Sequence, residues 1–343
     1  HGAGRAAPRH QEGHRFGASH GAHVVPGGFL RWMRREACYR GSAVVGVARK
    51  SIADLAASAV WPAGAAMSQD EFCRFVLSEG RRLYRDLPWR GIDDAYGVLV
   101  SEVMLQQTQV VRVLGRWERW MGMFPSPDAL AAAASADVLA EWQGLGYNRR
   151  ALALKRAAEE CSQRFGGRLP ETVEQLQELP GIGPATAAGV TAFARNLPAI
   201  YIETNVRTVF IHMLFPDCEA VSDKQLEPLV AACCPEAGQV RQWYYALLDV
   251  GADLKSQVGN ASRRSAHYTR QSAFEGSRRQ KRACLVRIVL ACPGIAVEQA
   301  AARLDAEESS AGREAVDPQL FAGICADLER EGFFRQEDGC LFP

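Results

Sequence analysis

From Ser68 onward, apolar residues recur three and four positions apart, the period of helices that bury one face. Ser68-Gln69-Asp70-Glu71 sets a hydroxyl three residues ahead of an acid, a capping box, and Phe72, Phe75, Val76 and Leu83 follow at helical spacing. The same box opens helices at Thr172-Val173-Glu174-Gln175 and Ser222-Asp223-Lys224-Gln225. A mainly α body is predicted. Toward the C-terminus three short helical patterns lead into Gly332 to Phe342, where Asp338-Gly339 separates two apolar runs as in a β-hairpin. That order predicts a small winged-helix-like module over residues 283–343.

Residues 1–66 look different. They hold five of the seven histidines and nine Lys/Arg against three acids, with little periodicity. They are expected to be disordered, or upstream sequence translated in error with Met67 as the start. The basic excess makes a transit peptide the rival reading.

At 343 residues and 48% hydrophobic content, the chain has ample material for a core, while a net charge of +1 supplies no long-range field for nucleic acid. Any attraction to phosphate must be local. Lys255 to Arg282 holds eight Lys/Arg against one Glu, with Tyr268 and Phe274 between them. Arg263, Arg264, Arg278 and Arg279 are therefore the candidates for phosphate contacts, should nucleic acid be a partner, the alternative being a solvated linker. Residues 283–343 carry five Arg and no Lys against eleven acids. Packing or a protein partner is expected of that module instead. No stretch approaches 18 uninterrupted apolar residues, so no membrane span is expected. Ten cysteines lie scattered with no Cys-x-x-Cys pair, which points to free thiols in the cytoplasm, near the nucleoid, and to no metal site.

The candidate chemistry begins at Leu179-Pro180-Gly181-Ile182-Gly183, a tight turn between two short helical patterns, with Pro184 opening the second. Unpaired N–H groups at that second helix, over Gly181 and Gly183, would let a phosphate approach closely. Taken alone, such a turn is more often a plain connection. Farther on, the apolar run Ala199-Ile200-Tyr201-Ile202 ends at Glu203-Thr204-Asn205, where another helical pattern starts. The helix dipole would favour an ionised Glu203, although capping alone could also explain it. Glu102 interrupts the apolar segment from Tyr96 to Leu105, on the face of Gln106 and Gln109, and burial there would raise its pKa. A surface stripe is the plain alternative. One protonated and one charged acid are what cleavage of a glycosidic bond requires. A base in duplex DNA must first leave the stack, and Gln106, Gln107 and Tyr147 are candidates to fill its place.

Arg85-Asp86-Leu87-Pro88-Trp89-Arg90, Ser101 to Gln109, Gly144-Leu145-Gly146-Tyr147 and the hairpin through Asn205 together resemble the MutY family of A/G-mismatch adenine DNA glycosylases. The likeness spans about Ser68 to Leu254. It implies the helix-hairpin-helix glycosylase fold of the endonuclease III superfamily, two helical subdomains with a cleft between them, over residues 67–254. By that resemblance Glu102 is the proton donor, and Glu203 stands for the family's catalytic Asp with Asn205 beside it. Arg85, Leu87, Trp89, Arg90 and Tyr245 would form the base pocket, while Gln107, Thr108 and Tyr147 meet the duplex. The superfamily's lyase lysine falls at Ala185, so base removal without strand scission is implied.

The chain also departs from the family. Glu203 adds a methylene, Tyr245 replaces a Glu or Gln, and residues 255–282 lack the four cysteines of an iron-sulfur cluster. Residues 283–343 do not resemble the domain related to nucleotide pyrophosphohydrolases that the family often carries. The implied function is excision of adenine opposite guanine or 8-oxoguanine from double-stranded DNA in base excision repair. Another damaged base, or mismatch binding without catalysis, are the alternatives. No iron-sulfur cofactor is expected, and a monovalent cation at the hairpin is.

Overall fold

The computed structural model describes residues 50–270 and 273–343. Two helices are apolar nearly all round, the mark of elements enclosed by their own domain. Ala95–Leu105 buries eight of its eleven residues and Pro184–Ala194 buries nine of eleven. They pack on each other, with Pro127–Ala132 set against Arg149–Arg164 nearby. Asp94 starts the first helix, its carboxylate accepting from the Tyr96 and Gly97 N–H groups at 3.0 Å each.

A second group joins Gln69–Arg82, Thr204–Leu214 and Val240–Gln257. The capping box at Ser68 forms as its spacing predicts, with the serine and Glu71 bonding reciprocally. Phe72 is fully buried, edge-on to Phe210 at 5.0 Å and to Trp243 at 6.4 Å. Gly80 lets the first and last helices of this group approach, since a Cβ there would lie 2.2 Å from that of Ala246. The connection between the two groups runs from the hairpin helix through Tyr201 to Glu203, which places the functional cleft at their boundary.

The C-terminal residues run helix Arg278–Ala291, strand β1 Ile295–Ala296, helices Val297–Ser310 and Pro318–Arg330, then β2 Arg335–Glu337 and β3 Cys340–Phe342. β3 lies between β1 and β2 and is antiparallel to both. Asp338 and Gly339, at φ 47° and 74°, make the two-residue turn. This is the winged-helix order of elements. Glu308 is fully buried in it between Lys281 and Arg313, whose charges hold its carboxyl down to about 2.

Two expectations are corrected. Residues 50–66 are not without structure: Ile52–Ala57 is a helix packed on Asp223–Cys233, and Trp61 lies edge-on to Phe72 at 5.7 Å while its indole donates to the Met67 carbonyl at 2.8 Å. The rest of that expectation, residues 1–49, lies outside the described residues. Nor is 255–282 a separate segment. Val240–Gln257 runs through Lys255, a 3-10 turn occupies Ala261–Arg264, Ala266 donates to the Val221 carbonyl, and the next helix begins at Arg278.

Trp61→Ala should lower stability in urea unfolding by roughly 1–2 kcal/mol, less than a fully enclosed aromatic because the side chain is half-buried. An unchanged midpoint would show that residues before Met67 merely lie on the surface.

Candidate active site

Helix Ala95–Leu105 carries Glu102 into a cleft of about 1030 Å³, and Glu203, at the start of Thr204–Leu214, lines the same cleft. The two acids are close enough for the charge of Glu203 to act on Glu102. Desolvation dominates there: burial pushes the Glu102 carboxyl up to about 8, against a hydrogen bond with Tyr201 that favours the ionised form. Room for that carboxyl comes from Gly189 of the hairpin helix, where a Cβ would sit 2.4 Å from Glu102 Oε2.

Glu203 caps its helix. One oxygen accepts from the N–H groups of Asn205 at 2.6 Å and Val206 at 3.0 Å. Burial raises its pKa, contrary to the expectation that the dipole alone would keep it charged. Those two N–H groups, the Lys255 ammonium and the Arg207 guanidinium work in the other direction. Asn205 Oδ1 is buried with no protein partner, an acceptor turned to whatever enters.

The floor is aromatic and ionic. Asp249 takes two bonds from Arg90, at 2.7 and 2.9 Å, and one from the Arg85 side chain at 2.6 Å. Tyr245 stacks flat on Phe193 at 5.0 Å beneath the Arg90 guanidinium, 4.5 Å away, and its hydroxyl accepts from the Gly91 N–H at 3.2 Å. Leu87 and Trp89 close the side, the latter edge-on to Trp117.

Residues 100–233 match the family model described as HhH-GPD superfamily base excision DNA repair protein. The matched stretch takes in Glu102, the hairpin and Glu203. Over 183 residues the chain is 38% identical to the adenine DNA glycosylase of Mycobacterium tuberculosis, covering 52% of this chain and 60% of that protein. Over 134 residues it is 40% identical to the adenine DNA glycosylase of Mus musculus, covering 36% and 26%. The chain thus spans about 60% of the length of the mycobacterial relative. The structure of a thermostable thymine-DNA glycosylase superposes with a TM-score of 0.50 at 22% identity, over 56% of this chain and 90% of that one. The fold is therefore that of helix-hairpin-helix glycosylases, and the chain is similar in sequence to MutY-type enzymes.

Within the matched residues the hairpin turns at Gly181, where φ is 76° and a Cβ would meet Ala153 at 2.7 Å. Gly183 has open space around it and heads a helix whose first N–H groups have no side-chain cap. Gln106 donates to Thr186 at 3.1 Å, tying the Glu102 helix to the hairpin helix. Gln107 and Tyr147 both adopt left-handed backbone, at φ 56° and 48°. Arg150 explains how they stay there. Its guanidinium donates to the carbonyls of Val103, Met104 and Gln106 at the end of helix Ala95–Leu105, to those of Leu145 and Gly146 on the Tyr147 loop, and to Thr108 Oγ1. Desolvation lowers its pKa to about 10, still charged at neutral pH. The pattern around Tyr147 gave no sign of this role, because most of its acceptors are backbone carbonyls and those of Val103, Met104 and Gln106 lie more than forty residues away.

The basic-patch expectation is corrected for two of its four arginines. Arg264 donates to the carbonyls of Ile211, Phe215, Pro216 and Cys218, closing the end of Thr204–Leu214. Arg278 pairs with Asp327 at 2.6 Å and donates to the Gly323 carbonyl. Arg279 meets Tyr147, and Arg263 is exposed on the 3-10 turn. The pocket expectation needs the same refinement: Arg85 and Arg90 line the cleft already bound to Asp249, a residue sequence reasoning passed over, as it did Tyr201 and Lys255. A [4Fe-4S] cluster does not fit residues 255–282, which offer no thiolate.

Gly189→Ala should cut the rate of base excision roughly 10- to 100-fold by displacing the Glu102 carboxyl by about an ångström, read by single-turnover kinetics. A wild-type rate would show that the acid's position is unimportant. Lys255→Met removes a charge that holds the Glu203 pKa down, so the acid limb of the pH–rate profile should move to higher pH. A limb that stays put or moves lower would contradict this electrostatic role.

Proposed function

We propose that the chain is a monofunctional DNA glycosylase of base excision repair that removes adenine mispaired with guanine or 8-oxoguanine in duplex DNA. The observation that carries this reading is the desolvated, proton-holding Glu102 in one cleft with a backbone-anchored Glu203. The similarity to adenine DNA glycosylases of bacterial and mammalian origin supports the choice of base.

The chemistry follows from the charges. Glu102 delivers its proton to a ring nitrogen of the flipped base, and the bond from base to C1′ breaks with its electron pair leaving on the base. Glu203 lies where its carboxylate faces the sugar cation so formed, with the Asn205 and Val206 N–H groups keeping it in place. A water held by Asn205 Oδ1 then adds to C1′ and returns a proton to Glu102. Ala185 offers no amine at the hairpin, so an abasic site and an intact strand result. The hairpin N–H groups over Gly183, with a monovalent cation, are suited to hold the phosphate of the flipped nucleotide.

Duplexes carrying A opposite G or 8-oxoguanine, incubated and then treated with alkali, should be cleaved at the adenine. Glu102→Gln and Glu203→Gln should each lose at least about a hundredfold in rate, the usual scale for a positioned acid or charge. The rate should fall as pH rises through about 8, where Glu102 loses its proton, and also at low pH where Glu203 gains one. No excision from either duplex by the wild-type chain would sink the adenine assignment. A covalent DNA complex trapped by borohydride would identify Lys255 as an attacking amine and overturn the expectation of an unbroken strand.

A further inference from the structure

Tyr147 is a non-glycine residue in left-handed backbone, a conformation that costs on the order of 1–2 kcal/mol and persists only where its surroundings hold it. The residue is 37% exposed and its loop is bonded to the Gln107 loop, which lines the cleft, through Thr108 and Leu145. Two guanidiniums grip the ring. Arg150 of the family-matched stretch lies 5.5 Å from its centre and Arg279, in the first turn of the winged-helix module, lies 5.2 Å away. Arg279 also donates to the Tyr147 hydroxyl at 2.8 Å and stands 5.3 Å from the ring of Phe274. Two residues on, Arg149 is ion-paired with Glu331 of the module, and Arg282 shares that same carboxylate. The module is thus fastened to the chain on both sides of the tyrosine.

From this geometry we infer that the winged-helix module serves the active site by positioning Tyr147, with Arg279 as the positioning residue. The inference rests on the proposed glycosylase reading, in which Tyr147 enters the duplex beside the extruded base. Counted from Arg278, the module carries nine Lys/Arg against eleven acids, and Arg278 and Arg282 are already paired with its own carboxylates, so it offers phosphates little net attraction. Its contribution is delivered through one arginine, which fixes where the ring points before DNA arrives. The ordering entropy of a wedge on a tight glycine-flanked loop is then settled in the free protein. Arg279 accordingly acts on discrimination between a mismatched and a fully paired duplex. A plain phosphate contact would raise affinity for both alike.

The test is fluorescence anisotropy of the full chain with a mismatched and a matched duplex, at two salt concentrations, for wild type, Arg279→Ala, Arg279→Lys, Tyr147→Ala and the double Arg279→Ala/Tyr147→Ala variant. Arg279→Ala should lower mismatch affinity about fivefold to tenfold and leave matched affinity within about twofold. Arg279→Lys, which keeps the charge but loses the planar stack, should not restore the preference. The double variant should be no worse than Tyr147→Ala. Unfolding midpoints of all variants separate a local effect from loss of the module. Equal losses on both duplexes, recovery by lysine with a reduced salt slope, or multiplicative effects in the double variant would each overturn the inference. A wild-type chain with no preference at all would overturn the functional reading beneath it, whereas a preference untouched by Arg279→Ala would overturn the inference alone.

Discussion

Withdrawal of the Glu102 carboxyl from water is the constraint around which the rest is arranged. A carboxylate in such a setting holds its proton to about pH 8 only if apolar helices surround it and still leave space for its oxygens. Ala95–Leu105 and Pro184–Ala194 meet that demand by being buried on nearly every side, and Gly189 does so by lacking a side chain where the oxygens lie. Gly251 repeats the device beside Asn205, where a Cβ would lie 2.4 Å from the Asn205 carbonyl oxygen. Both acids therefore depend on how closely two pairs of helices approach.

A second theme is the use of arginine as internal scaffolding. Arg150 ties a helix end to a loop through backbone carbonyls, Arg264 finishes a helix, and Arg90 with Arg85 braces the pocket floor through Asp249. Each guanidinium presents several donors in a fixed plane, so one side chain can satisfy carbonyls left over from several segments at once. Such arginines are poorly available to DNA. The net charge of a segment overstates its capacity to bind phosphate wherever its cations already have carbonyl or carboxylate partners.

Much of this was legible beforehand for a physical reason. Helical period, the capping boxes at Ser68 and Ser222 and the Asp338-Gly339 turn are local signals, and the structure forms them where their spacing placed them, whereas at Thr172 only the hydroxyl's half of the expected box forms, accepting from the Gln175 N–H. Three of the four motifs that resemble the MutY family line one cleft, with Glu102, Glu203, Asn205 and the pocket residues together, and the fourth joins it through the bond of Thr108 to the Leu145 carbonyl. What the sequence concealed is partnership across long separations: Asp249 with Arg90, Arg150 with Val103, Arg278 with Asp327, Lys255 with Glu203. Counting charges in residues 255–282 could not distinguish cations facing solvent from cations facing carbonyls. The short helix before Met67 escaped because its six residues are too few for a period to show.

The brace beneath the pocket also sets a filter on what can be admitted. Two guanidiniums share the Asp249 carboxylate there, and that of Arg90 lies over the Tyr245 ring, which stacks on Phe193. The surface offered to an incoming group is thus flat and already ion-paired, so it favours planar rings that can stack over groups that need a free charge to bind.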